Sequence, residues 1–300
     1  MKKDLLKLLD LDRKEIYDLL RLGDQLKYEQ HNGIKHHHLE GKTLGMIFTK
    51  SSTRTRVSFE TGMYQLGGMA IFLSATASQV GRGEPPEDTA RVLSRYLDGI
   101  MIRTFEQEEV ETLAKYASIP VINGLTDFCH PCQVLADLMT IRESKGVLDG
   151  LKLCYIGDGN NMANSLIVGG LKAGMKVSIA CPENYMPDQR VLDFAKGMDL
   201  EIVRDPREAA KGADAVYTDV WASMGQEDEK LQRMKDFEGY QINSAVMAEA
   251  NKDAMVLHCL PAHRGEEITA DVFEAHADDI FEEAENRLHI QKAIMVSLMK

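Results

Sequence analysis

The sequence predicts an α/β protein of two domains, each a parallel sheet flanked by helices, with the active site in the cleft between them. Three observations lead there. Apolar strand-like runs alternate with amphipathic helical segments from residue 44 onward, the rhythm of parallel sheets with helical crossovers. A length of 300 residues exceeds what one hydrophobic core usually holds. Polar clusters follow many of the strand-like runs, and in open parallel sheets ligands bind beyond the carboxyl ends of the strands.

The elements follow in order. Asp12, with Glu15 three residues later, is a capping-box start, and Ile16, Leu19 and Leu20 continue it at helical spacing. Leu44–Thr49 (LGMIFT) reads as the first strand. KSSTRTRVSFE, Lys50 to Glu60, then opens a helix that runs through Phe59, Met63 and Leu66 to Gly67-Gly68. Further strands are expected at Met69–Leu73, Gly99–Arg103 and Pro120–Asn123, with helices at Asp88–Leu97, Gln107–Ala117 and Pro131–Ser144. Lys145-Gly146 marks the expected hinge between the halves. The second series of strands is Lys152–Ile156, Lys176–Ala180, Glu201–Val203, Ala213–Thr218 and Ala254–Leu257, with a helix at Asn161–Ala173. A last helix, Glu283–Met299, ends in AIMVSLM and needs a surface to cover, so it is expected to pack back on the first half.

Composition narrows the function. A formal charge of −12 disfavours nucleic acid as a main partner, because phosphate backbones demand a basic surface. No window approaches the run of about 18 apolar residues that spans a membrane. The start, MKKDLLKLLDLDRKE, has an apolar run too short and too charged for a secretory signal, so a cytoplasmic enzyme is expected. Five scattered cysteines do not make a disulfide framework. His36–His38 read as a solvated loop and the methionines as core filler.

Four stretches carry chemistry. In the first, Ser51, Ser52, Thr53 and Thr55 surround Arg54 and Arg56 at a helix start. Unpaired N–H groups and guanidinium forks there suit phosphate or carboxylate. An ordinary capped, solvated basic turn is the competing reading. In the second, YIGDGNNMANS, Gly157 and Gly159 imitate a dinucleotide fingerprint. Met162 occupies its third glycine position and no acidic residue closes the next strand, which argues against a nicotinamide cofactor. Asn160 and Asn161 read as amides offered to a small polar ligand, or as a capped turn. In the third, FCHPCQVLADLMT, Cys129 and Cys132 form C-x-x-C at a helix start, a redox pattern in small thioredoxin-like domains. Here His130 and Gln133, one turn apart, are favoured as the functional face, with Asp137 placed to orient them. A zinc site with His258 and Cys259 has no matching C-x-x-C in the second half. The fourth, HCLPAHRGEE, sets a thiol beside a proline-fixed turn at the sheet edge.

Together S-T-R-T-R (Ser52–Arg56), H-P-C-Q (His130–Gln133), D-V-W-A-S-M-G (Asp219–Gly225) and H-C-L-P (His258–Pro261) resemble the motifs of the aspartate/ornithine carbamoyltransferase family, along nearly the whole chain. The last two motifs are those of its ornithine-specific members. The resemblance implies transfer of the carbamoyl group of carbamoyl phosphate to the δ-amine of L-ornithine. The products are L-citrulline and phosphate, in arginine metabolism, with no cofactor and no metal. It implies a carbamoyl-phosphate domain, residues 1–143 completed by the C-terminal helix 284–300, and an ornithine domain, residues 144–283, assembled as a homotrimer. By the same resemblance Ser52, Thr53, Arg54, Thr55, Gln79, Arg103, His130, Pro131, Cys132, Gln133, Cys259, Leu260 and Arg287 contact carbamoyl phosphate, Gln79 reaching in from a neighbouring subunit. Asn161, Asp219, Ser223 and Met224 hold ornithine, and Arg54, Thr55, Arg103, His130 and Cys259 carry catalysis. A related amine such as putrescine is the alternative acceptor. A thiol–disulfide enzyme built on C-H-P-C is the alternative activity. Pro85-Pro86 depart from the family's usual loop and are expected to stiffen it.

Overall fold

The computed structural model describes residues 4–74, 83–222 and 229–300. Gln79, Ser223 and Met224 lie outside the described residues. The chain divides into two compact units, residues 1–136 with 286–300, and residues 137–285.

In the first unit the strands are β1 (Thr43–Phe48), β2 (Met69–Ser74), β3 (Gly99–Arg103) and β4 (Val121–Leu125). They form an all-parallel sheet in the order β2-β1-β3-β4, with Phe48 beside Arg103 in the register. The helices of this half are α1 (Arg13–His31), α2 (Thr53–Gln65), α3 (Pro86–Leu93) and α4 (Gln107–Tyr116). Ile47, Ile100, Ile102, Val110, Leu113 and Val121 make the core between β1, β3, β4 and α4. α1 begins on the expected capping box, with Asp12 Oδ1 accepting the Glu15 N–H and Glu15 Oε2 accepting the Asp12 N–H, both at 2.8 Å.

The second unit holds β5 (Lys152–Ile156), β6 (Lys176–Ala180), β7 (Leu200–Val203), β8 (Ala215–Thr218) and β9 (Met255–His258), again all parallel, in the order β7-β6-β5-β8-β9. Its helices include α6 (Asn161–Ala173) and the short α7 (Gln189–Phe194), α8 (Pro206–Ala210), α9 (Lys230–Asp236), α10 (Ser244–Met247) and α11 (Ala270–Ala275). Cys154, Ile156, Val216, Val256, Phe273 and Ile280 are fully or almost fully buried in its core. Two helices belong to both units in sequence, α5 (Pro131–Lys145) and α12 (Ala277–Met299).

Three expectations are corrected. α3 starts at Pro86 rather than Asp88, because a proline's fixed φ and missing N–H suit the first helical position. α12 starts at Ala277 rather than Glu283, with Asp278 and Asp279 in a first turn that favours negative charge. His36 is buried rather than solvated: its Nδ1 lies 2.8 Å from the Ile34 carbonyl and its Nε2 faces Lys292 Nζ at 3.3 Å.

The strand orders matter for function. In the first sheet β1 has β2 on one side and β3 on the other. In the second, β5 has β6 on one side and β8 on the other. At such switch points the loops leave in opposite directions and a crevice opens at the carboxyl ends.

Candidate functional site

The first switch point, between β1 and β3, is cationic. β1 runs into Lys50, which is buried, paired with Asp127, and stacked over the Phe105 ring at 4.3 Å. Ser52 caps α2, its Oγ accepting the Thr55 N–H at 3.2 Å. The Thr55 Oγ1 accepts from Ser52 at 3.0 Å and from Arg287 Nη2 at 2.8 Å, so its own hydroxyl hydrogen is left to meet an acceptor. Thr53 and Arg54 stand exposed in the first turn of α2. Arg103 ends β3, half-buried.

α5 brings a second edge to this cluster. His130 is buried just before its start, and its pKa falls well below the usual histidine value, first through burial and then through the charges of Arg287 and Arg103. A neutral imidazole beside two guanidinium groups offers hydrogen bonds without ionising. Pro131 takes the first position of α5, and Cys132 and Gln133 follow, all buried. Of the residues expected from the sequence, Ser52, Thr53, Arg54, Thr55, Arg103, His130, Pro131, Cys132, Gln133 and Arg287 all belong to this unit.

The two thiols of C-H-P-C are buried. Burial pushes both Cys129 and Cys132 up to about 12, the reverse of an activated redox pair. Cys129 Sγ contacts the Leu6 carbonyl at 3.5 Å and Gln107 Oε1 at 3.4 Å, while Cys132 Sγ donates to the Asn123 carbonyl at 3.4 Å.

The second switch point, between β5 and β8, is anionic. Gly157 leaves β5 at φ 144°, a conformation that favours glycine. At Gly159 a Cβ would come within 2.4 Å of the Met186–Pro187 backbone, so this glycine serves close chain packing rather than a nucleotide. Asn160 caps α6, its Oδ1 accepting from Met162 and Ala163 N–H at 2.9 and 3.3 Å, and its Nδ2 donates to Asp219 Oδ2 at 3.1 Å. That amide is therefore a helix cap, the second of the two readings that the sequence left open. Asn161, the first residue of α6, is half-buried.

Asp219 follows β8. Its Oδ1 accepts the Val220 N–H at 2.8 Å and the Cys259 thiol at 3.0 Å. Burial, then the charge of Asp219, holds the Cys259 thiol well above its ordinary range, so it is protonated. The H-C-L-P turn is fixed by His258: Nδ1 accepts the Leu260 N–H at 2.9 Å, which leaves Nε2 as the donor to Glu267 Oε1 at 3.0 Å. Leu260 itself sits at φ 58°, a left-handed conformation uncommon for a branched side chain and held by that bond.

Asp219, His258 and Cys259 bring possible ligand atoms within 4.8 Å of one another. Both ring nitrogens of His258 are already committed, so the set does not make a metal centre.

Several groups that shape these clusters escaped the sequence reading. Arg233, buried in α9, donates through Nη1 to Asp158 Oδ2 at 2.6 Å and to the Trp221 carbonyl at 2.9 Å, joining the two turns of the anionic switch point. Asp158 had a signal, its place in GDGNN, as Lys50 had in KSSTR and Glu267 in HCLPAHRGEE. Arg233 and Glu283 had none. No helix of the described residues is long and apolar enough to cross a membrane.

Comparison with known proteins finds matches over nearly the whole chain. The family model described as aspartate/ornithine carbamoyltransferase, carbamoyl-P binding domain, matches residues 3–143. The one described as the Asp/Orn binding domain matches residues 149–298. The chain is 58% identical to an ornithine carbamoyltransferase of Oceanobacillus iheyensis, covering 99% of this chain and 94% of that one. It is 56% identical to one of Syntrophotalea carbinolica, with 100% of both covered. Among solved structures, the ornithine carbamoyltransferase from Pyrococcus furiosus superposes with a TM-score of 0.94 at 52% identity, covering 99% of this chain and 96% of that chain.

Proposed function

The chain belongs to the aspartate/ornithine carbamoyltransferase family, and from that membership we propose that it transfers the carbamoyl group of carbamoyl phosphate to the δ-amine of L-ornithine, releasing L-citrulline and phosphate. One observation carries this reading of the geometry: the two parallel sheets place a cationic cluster at one switch point and an anionic one at the other. The first suits a dianionic phosphate ester and the second an ammonium group.

Carbamoyl phosphate is held by the first unit and ornithine by the second, with the domains drawn at residues 1–143 plus 284–300 and at 144–283. Ser52, Thr53, Arg54 and Thr55 wrap the phosphate at the start of α2, with Arg103 and Arg287 adding charge. His130, Gln133 and Thr55 lie by the carbamoyl group. On the other side Asp219 pairs with the α-ammonium of ornithine, and Asn161 with Ser223 and Met224 holds the amino-acid end. The neutral δ-amine attacks the carbamoyl carbon, forming the new C–N bond. The carbonyl oxygen becomes an oxyanion met by Arg54, Thr55, Arg103 and His130. Collapse breaks the C–O bond to phosphate, which leaves with the electron pair, and the amine's proton passes to solvent or phosphate. Cys259, a thiol bonded to Asp219, lies by the attacking nitrogen and orients it.

The working unit is a homotrimer in the cytoplasm, with Gln79 supplied across the subunit boundary. Val57, Tyr64, Met69 and Ile71 support it: these are exposed apolar side chains of α2 and the edge strand β2, of the kind that another chain covers. A citrulline assay with ornithine, putrescine, lysine and aspartate compared side by side tests the acceptor. Ornithine should far exceed the others, and faster turnover of putrescine would overturn the assignment.

A further inference from the structure

The reaction above leaves one polar arrangement unused, the carboxyl pair Asp137 and Glu283. Both side chains are fully buried. Asp137 lies on α5 and Glu283 on α12, and both belong to the second unit. Glu283 Oε2 accepts the His258 backbone N–H at 2.8 Å, and Oε1 accepts the Tyr217 hydroxyl at 3.0 Å. Asp137 hydrogen-bonds to Glu283 as well.

Two ionised carboxylates repel, and neither has a hydrogen to donate, so a hydrogen bond between them requires one proton. Glu283 already accepts at both oxygens, and the remaining bond between the two carboxyl groups is made by that one proton. We propose that Asp137 and Glu283 share a single proton in the folded enzyme and that, through Glu283, Asp137 is a positioning residue for the His258–Cys259 turn of the ornithine half-site; this rests on the ornithine reading of that half-site.

The relay is short. Glu283 holds the His258 N–H, the His258 ring holds the Leu260 N–H, and Cys259 between them presents its thiol to Asp219. Displacing Glu283 therefore moves the thiol away from the amine. The charged and titratable groups facing the pair are Tyr217 from β8 and His258 and Cys259 from β9 and its turn, with Asp219 beyond them. With one proton the pair carries a single negative charge, which keeps a third carboxylate charge from the site as Asp219 receives an ammonium.

The test uses the whole enzyme. Infrared spectra at neutral pH should contain the carbonyl stretch of a protonated carboxyl group that is missing from Asp137→Asn. In that variant an amide N–H replaces the acid O–H, and it should keep most of the wild-type kcat/KM for ornithine. Asp137→Leu, which has no donor, should lower that kcat/KM by about tenfold to a hundredfold, the effect of a buried charged acceptor left unsatisfied. KM for carbamoyl phosphate should stay near wild type in both. Identical infrared spectra for wild type and Asp137→Asn would overturn the proposal, as would an Asn variant as impaired as the Leu one. Should Asp137→Leu not fold, the infrared difference and the Asn variant still decide. The spectrum needs no substrate, so a chain that has the band but makes no citrulline supports the protonation and refutes the ornithine reading instead.

Discussion

Arg54 stands exposed in the first turn of α2, beside a threonine whose hydroxyl is fixed by Ser52 and Arg287. The role proposed for this exposed side chain is to meet an anion, so its loss should fall on turnover rather than on folding. Arg54→Ala is expected to lower kcat by about 100- to 1,000-fold, the usual consequence of deleting one oxyanion donor. Citrulline assays and circular dichroism check it, and a folded variant keeping more than about a third of kcat, far above that range, would remove Arg54 from the mechanism. Asp219 is bound differently. Both its oxygens accept, from Val220, Cys259 and Asn160, so Asp219→Asn sets an amide N–H against another donor and removes the counter-charge for a buried ammonium. KM for ornithine should rise far more than KM for carbamoyl phosphate, and equal rises would tell against its place on the ornithine side. Residues of this kind were legible because several sit together in one short stretch. Asn160 was half-read: its amide type was visible, but the choice between cap and ligand depends on where Asp219 lies, which no local pattern contains.

At the scale of elements, most strands and the capped helix starts were readable because apolar periodicity and capping residues are local signals. Boundaries set by tertiary packing were less so. α12 shows why: its first turn, with Asp278 and Asp279, lies ahead of the apolar run that marked the helix in the sequence. The same helix buries Lys292 completely, with Nζ donating to Gln30 Oε1 at 2.7 Å and facing His36 Nε2. Burial lowers the Lys292 pKa from 10.5 to about 8. The unfolded chain therefore holds a proton that the folded chain has released between those values. Stability from this group should rise as pH rises from about 8 toward 10.5, and be fully lost below about 8. Lys292→Met should lack that rise. Urea unfolding of both proteins across the window measures it, and parallel pH profiles would refute the assignment.

Across the whole molecule, function follows from strand order. Two sheets, each all-parallel and each with one switch point, place the cationic and anionic clusters at equivalent places in their own units. Sequence pattern announces strands and their polar ends, but not which strands are neighbours, so the switch points emerge only from the fold. The proposed homotrimer adds a further layer, since Gln79 is proposed to serve a neighbouring subunit's carbamoyl phosphate. Gln79→Glu would set a carboxylate against the phosphate, and like charges repel strongly where water is scarce. Arg54→Ala destroys the same pocket from its own subunit. Each homotrimer should therefore be nearly inactive. In a mixed trimer, an Arg54-intact subunit beside a Gln79-intact one in the right rotational order rebuilds one native site. The two inactive proteins, dissociated and reassembled together, should then regain citrulline synthesis. If mixed trimers form by native mass spectrometry and activity stays at the level of the unmixed variants, the site is not shared between subunits.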